Sequence, residues 1–163
     1  MTIELQTKPA FALMGKLGRG PADNGPDWIP PLWQAANRNF EQIQPFIKLD
    51  GQGNPMIWGC MSDVSLGFFP WQAEGLYLAG CEVQPDAQPP EGWTKWNIPS
   101  FKYAVATCTL ADYGEVFNDV LAHYLPENGY ALTGAVHERY PAGSGDTLQL
   151  YFPINRLLNT TSH

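Results

Sequence analysis

Hydrophobic periodicity marks out the same order of elements twice, and this repeat constrains the fold more than any other feature of the sequence. An apolar strand from Phe11 to Leu17 is followed by a loop rich in Gly, Pro and Asp. Pro30 and Pro31 then open a helix, where the missing proline N–H has no partner to lose. In LWQAANRNFEQIQ, Leu32, Ala36, Phe40 and Ile43 recur at helical spacing, and Pro45 ends the run. MIWGCMS (56–62) and GLYLAGCEV (75–83) read as strands. The second half opens with the strand KYAVATCT (102–109). Asp112 and Glu115 are spaced as a capping box before a helix whose apolar stripe is Tyr113, Phe117, Val120, Leu121 and Tyr124. Pro126 and Gly129 stop that helix, and YALTGAVHERY (130–140) and TLQLYFPI (147–154) read as closing strands.

Strand, helix, strand, strand, twice over, predicts an α+β fold with one antiparallel sheet and both helices on one face. The two modules, about 2–83 and 101–155, are expected to be related by a pseudo-twofold and joined by a Pro-rich connector, 84–100, within one domain, 1–163. The face opposite the helices is expected to hold a ligand cleft.

Composition narrows the function. With 163 residues, 44% of them hydrophobic, the chain can build a core without disulfide or metal staples. A net charge of −7 with only 15% charged residues argues against phosphate-tracking nucleic-acid binding and against an electrostatic membrane anchor. Cys60, Cys81 and Cys108 are odd in number and sit in apolar runs, as buried free thiols of a reducing cytoplasm do. His123, His137 and His163 show no metal-ligand spacing, and neither metal nor cofactor is implied. His123 and His137 read as structural or exposed side chains. The first residues lack a signal-peptide pattern and no 18-residue apolar run occurs, so a cytoplasmic protein is expected. Neither a nucleophile elbow nor a P-loop is present. Six Trp in so small a chain direct attention to a pocket, since rings line pockets as well as cores.

Glu138 is the first candidate. It sits among apolar and aromatic residues in AVHERY, with Tyr140 two residues on and on the same face. A carboxylate facing an apolar cleft is desolvated, which raises its pKa and favours an arriving cation or hydrogen-bond donor. The alternative is a strand-end glutamate that is exposed and idle, or that pairs with Arg139 or another surface base. Glu82, in GCEV, is either a second cleft carboxylate or an ordinary strand-end glutamate. Trp33, Phe40 and Phe117 lie on helical faces and read as core, whereas Trp58, Tyr77 and Tyr151 are candidate cleft walls. Phe68, Phe69 and Trp71, in SLGFFPWQ, form a pocket lip, a dimer contact or a loop folded back on the sheet. Trp93 and Trp96 are placed to clasp the two halves together. The candidate ligand-binding set is therefore Glu138, Tyr140, Trp58, Tyr77, Trp71, Phe68, Tyr151 and Glu82.

Four segments in order resemble the GyrI-like family, the AraC-type effector-binding domains: IPPLWQAANRNFEQI, GLYLAGCEV, EGWTKWNIPSFKYAV, and HERYP with LQLYFPI. The resemblance covers about residues 2–155. It implies the two-module fold and the binding of small, often cationic, lipophilic molecules in an aromatic cleft, with Glu138 as the pocket carboxylate. In many members the module follows a DNA-binding helix-turn-helix. Only about ten residues precede the first strand read here, so a stand-alone member of a transcription-regulating, multidrug-binding family is expected. Its expected partners are lipophilic cations, with no direct contact to nucleic acid or membrane, and a homodimer or a separate DNA-binding regulator as protein partner. Two other classes stay open: hydrolysis of reactive electrophiles with the same Glu activating water, and a gyrase-type protein-interaction module.

Overall fold

Eight strands form one antiparallel sheet in the computed structural model, which describes residues 2–158; Met1 and residues 159–163, His163 among them, lie outside. The strands are β1 (Ile3–Lys8), β2 (Phe11–Pro21), β3 (Ile57–Ser62), β4 (Glu74–Val83), β5 (Thr94–Ile98), β6 (Phe101–Thr109), β7 (His137–Tyr140) and β8 (Thr147–Arg156). Helices α1 (Gly25–Trp28) and α2 (Pro30–Arg38) lie between β2 and β3, and α3 (Tyr113–Asp119) and α4 (Leu125–Glu127) between β6 and β7. The sheet runs β1-β6-β8-β7-β3-β4-β2-β5. Read from either edge the order is the same, with β6, β8 and β7 answering β2, β4 and β3 and the halves meeting at β3–β7.

The two strands missed in the sequence are the edges. β1 lies within the ten residues taken as preceding the first strand, and it pairs with β6 of the second half. β5 lies within the connector and pairs with β2 of the first half. Each lead-in strand thus extends the other half's sheet. The expected strand 130–140 shrinks to His137–Tyr140. Upstream of it the backbone makes single bonds, Thr133 N–H to the Pro153 carbonyl and Ala135 N–H to the Phe68 carbonyl, in place of a ladder.

The helices depart from the sequence reading at their ends. α2 stops at Arg38, where the Asn39 amide donates to the Ala35 carbonyl at 2.9 Å, and two 3₁₀ turns follow. Asp112 precedes α3, but its carboxylate accepts from the Thr109 N–H and hydroxyl instead of capping the helix, so the capping box does not form. A π turn, Val120–Tyr124, joins α3 to α4. Pro126 has no N–H to offer the Ala122 carbonyl, which removes the usual α-helical bond at that turn. Gly129, in the left-handed region at φ 73°, then ends the helix.

Registered neighbours identify the helix-bearing face. Ala106, Leu150, Glu138, Gly59 and Ala79 are successive partners across β6, β8, β7, β3 and β4, so their side-chain positions share one face. Ala106 and Leu150 pack with Val116 and Val120 beneath α3, while Met14 and Cys81 pack with Ala36 of α2. Both helices therefore lie on the face that carries Glu138. The opposite face holds the third cluster, including Leu13, Trp58, Cys60, Leu78, Trp96, Tyr103 and Tyr151.

That rear face is closed because the sheet is rolled. Four strands separate β1 from β4, which would place them about 24 Å apart in a flat sheet. Yet Lys8 Nζ on β1 lies 2.7 Å from Glu82 Oε1 on β4. The expectation of a cleft opposite the helices is corrected by this roll, since the rear side chains fill the space it encloses.

Candidate ligand-binding site

An aromatic opening lies between the two helical layers, on their own side of the sheet. A cavity of about 750 Å³ is bounded by α1 and α2 on one side and by α3 on the other, with Met61, Tyr77, Glu138 and Tyr140 from the sheet. Its remaining lining is largely apolar and includes Ile29, Trp33, Trp71 and Phe117. Glu138 is the one charged residue of this lining and is 7% exposed.

Three phenols converge on that carboxylate. Tyr77 on β4 donates its hydroxyl to Glu138 Oε1 at 2.5 Å, and Tyr140 donates to the same oxygen at 2.8 Å. Tyr113, from the first turn of α3, donates to Oε2. Trp33 of α2 completes the chain, its indole N–H donating to the Tyr77 hydroxyl at 3.0 Å. Burial raises the Glu138 pKa above the ordinary carboxylate value, while the three hydroxyls pull it back down by stabilising the ionised form. Beside this charge all three tyrosine hydroxyls are pushed upward, mainly by burial, and remain donors. Among the described residues the acid–base ion pairs are Lys8–Glu82 and Arg19–Glu74, so no basic side chain neutralises Glu138.

Gly59 makes the arrangement possible. It stands directly across from Glu138, and a Cβ there would lie 1.9 Å from the Tyr77 hydroxyl oxygen and 2.8 Å from Glu138 Oε1. The volume a side chain would take is filled by the phenol–carboxylate pair. The signal was present in MIWGCMS, where a glycine inside a strand marks close approach by another group.

The eight candidate residues divide by face. Glu138, Tyr140, Tyr77 and Trp71 line the cavity. Trp58, Tyr151 and Phe68 pack in the rear cluster and do not reach it. Glu82 is buried on the rear face in its pair with Lys8, so it is not a second cleft carboxylate. Strand alternation decides this division: Trp58 neighbours Gly59 and therefore faces the other way. The three rings of the β3–β4 loop go separate ways, Trp71 to the cavity, Phe68 edge-on against Trp96, and Phe69 outward beneath Arg156. Trp93 packs with the first half alone, under the Lys16 ammonium, and Trp96 joins the rear cluster.

Trp33 and Phe117, read from periodicity as core, line the cavity, as does Tyr113 from the expected apolar stripe. A helical face pointing toward the sheet has the same pattern whether it meets packed side chains or an opening, so periodicity carried no signal for these three. His137, one residue from the site, points to the rear. Its Nδ1 accepts from the Met61 N–H at 3.1 Å, and burial lowers its pKa to about 3.

Comparison with known proteins agrees with this architecture. The family model Cass2, integron-associated effector binding protein, matches residues 4–154. The transcriptional regulator BrlR of Pseudomonas aeruginosa is 29% identical over 167 residues, covering 94% of this chain and 56% of that protein, so the chain spans about half the length of this relative. Among solved structures, SAV2435 bound to tetraphenylphosphonium has a TM-score of 0.68 at 14% identity, covering 95% of this chain and 94% of that one. The C-terminal domain of EcmrR has a TM-score of 0.65 at 15% identity, with 96% and 98% covered. The Vibrio cholerae integron cassette protein VCH_CASS2 has a TM-score of 0.58 at 14% identity, with 94% and 95% covered. At these identities the structural likenesses show the shared fold.

Proposed function

This chain belongs to the Cass2 family of integron-associated effector binding proteins, within the GyrI-like group its motifs resemble, and we propose that it binds lipophilic organic cations in the cavity over Glu138. One observation carries the reading: a buried carboxylate, cradled by three phenols and without a basic partner, faces an aromatic cavity of about 750 Å³. A buried charge without a counter-ion is costly, and a cation entering the cavity offsets that cost. The rings add apolar area and cation–π attraction. Few directional bonds are offered to the ligand beyond the carboxylate, so the site accepts varied shapes. The bound tetraphenylphosphonium of SAV2435 supports this ligand class. The BrlR relative supports a role as the sensing module of transcription regulation, with a separate or attached regulator as partner. Three free buried cysteines fit a cytoplasmic setting.

Glu138→Gln tests the reading, because it keeps the shape and removes the charge. Calorimetry would compare tetraphenylphosphonium with neutral triphenylphosphine oxide on both proteins. Losing one member of a buried charge pair costs about 2–5 kcal/mol, a loss of roughly thirtyfold or more for the cation. The neutral compound should change far less. Equal losses for the two probes would reduce Glu138 to a shaping role and overturn the proposal.

A further inference from the structure

Gly20 on β2 and Gly75 on β4 are direct partners in the sheet, on the same face as Tyr77. Neither has space for a side chain. A Cβ at Gly20 would lie 2.5–2.6 Å from three atoms of the Trp28 indole, and one at Gly75 would lie 2.2–2.4 Å from three atoms of the Trp71 indole. Near-equal distances to several ring atoms mean that each indole lies face-down on its glycine. The two rings lie side by side, with centroids 5.5 Å apart and planes inclined by only 30°. Each is pinned through its one donor: Trp28 Nε1 to the Pro21 carbonyl at 3.0 Å, and Trp71 Nε1 to the Leu76 carbonyl at 3.1 Å.

The bare glycine strip therefore carries a double-indole wall, and Trp71 is the part of it that lines the cavity. Its indole N–H is committed to the backbone, so Trp71 presents the ligand with π and apolar surface and no hydrogen bond. Gly75 precedes Tyr77 by two residues, which sets the wall about 7 Å along β4 from the phenol–carboxylate floor. A cation whose charged centre sits at Glu138 thus extends its substituents toward Trp71. A ring there gains the offset or edge-on contacts that aromatic pairs favour, and an alkyl chain does not. The wall is already fixed by its glycine seats and its two backbone bonds, so little ordering is needed when a ring arrives.

We propose that the Trp28–Trp71 wall, seated on Gly20 and Gly75, makes this site select aryl cations over alkyl cations of equal charge, an inference that rests on the cation site described above. The selecting residue is Trp71; Trp28 and the two glycines position it.

The test uses the full chain with tetraphenylphosphonium and tetrabutylphosphonium as probes, measured by calorimetry. The wild type should prefer the phenyl compound. Trp71→Leu should lower phenyl affinity about fivefold to tenfold, as expected for losing aromatic pairing, and butyl affinity less than about twofold. Gly20→Ala should shift selectivity the same way by displacing Trp28, although residue 20 itself does not line the cavity. Thermal unfolding confirms that each variant is folded, and where Gly20→Ala fails to fold, Trp71→Leu decides alone. Equal losses for both probes in Trp71→Leu, with wild-type binding intact, would overturn the wall's role and leave the cation site standing. A wild type that binds neither phosphonium would overturn the cation site itself.

Discussion

Adding one methyl group at Gly59 probes the central contact of the site from the backbone side. The new Cβ would stand 1.9 Å from the Tyr77 hydroxyl oxygen and 2.5 Å from its Cζ, inside any permitted contact. Tyr77 is fully buried and held at both ends of its hydrogen-bond chain, by Trp33 and by Glu138, so it cannot swing aside freely. Overpacking of this kind costs about 1–3 kcal/mol. Breaking the hydrogen bond from Tyr77 to the Glu138 carboxylate adds about 1.5–3 kcal/mol. Stiffening the unfolded chain by replacing Gly returns about 0.4–1 kcal/mol. Gly59→Ala should therefore destabilise the protein by about 3 kcal/mol, a fall in Tm of about 6–12 °C for a domain of this size. Tetraphenylphosphonium affinity should fall with it, because the carboxylate loses its positioning donor. The decisive measurement is a double-mutant cycle by chemical or thermal unfolding. With Tyr77→Ala the phenol is gone, and of the three nearest atoms only Glu138 Oε1 remains, at 2.8 Å, the free end of a side chain that can turn. Gly59→Ala should then cost little, giving a coupling energy of about 2 kcal/mol. A cost below about 0.5 kcal/mol in the wild-type background, or the same cost in both backgrounds, would refute the steric account.

The pH dependence of the site has a definite sign. Burial holds the Glu138 pKa above its ordinary value, so its contribution to stability without ligand is present below the ordinary carboxylate pKa and is lost as pH rises through the raised one. Cation affinity runs the other way and rises through the same window; titration with tetraphenylphosphonium from about pH 4 to 8 should show this in wild type and not in Glu138→Gln, and a flat wild-type profile would count against a raised carboxylate pKa. His137 behaves oppositely: its pKa falls from 6.5 to about 3 on burial, so the stability of its neutral form is present above the ordinary histidine pKa and is lost as pH falls toward the lowered one. Unfolding free energy should drop by about 1.4 kcal/mol per pH unit across that interval, and His137→Asn should flatten the slope; an unchanged slope would assign acid sensitivity to another group.

Local pattern was enough to establish the order of the six inner strands and the helices between them, and the sharing of faces within a strand. The apolar runs, the prolines at the start of α2 and the stop at Gly129 are each decided by neighbouring residues. Glu138 and Tyr140 were legible as companions because alternate residues of a strand share a face. The short edges β1 and β5 escaped notice because each finds its partner in the other half of the chain, beyond the reach of local pattern. Periodicity reads Trp33 as core and Tyr113 as part of an apolar stripe, since a helix pattern does not distinguish a packed neighbour from an opening.

Which sheet face would hold the cavity was decided only by tertiary structure. Alternation says that Trp58 and Gly59 face opposite ways, but not which way is closed. The roll of the sheet closes one of them, bringing Lys8 to Glu82 across four intervening strands and drawing Trp58, Phe68 and Tyr151 into the rear core. Glu138 is then left beneath the gap between the helices, where phenols from β4, α3 and β7 can reach one carboxylate. Their separations in sequence, 61, 25 and 2 residues, explain why only the last of these contacts was legible beforehand: local periodicity relates residues a few positions apart, and the others depend on where distant segments pack.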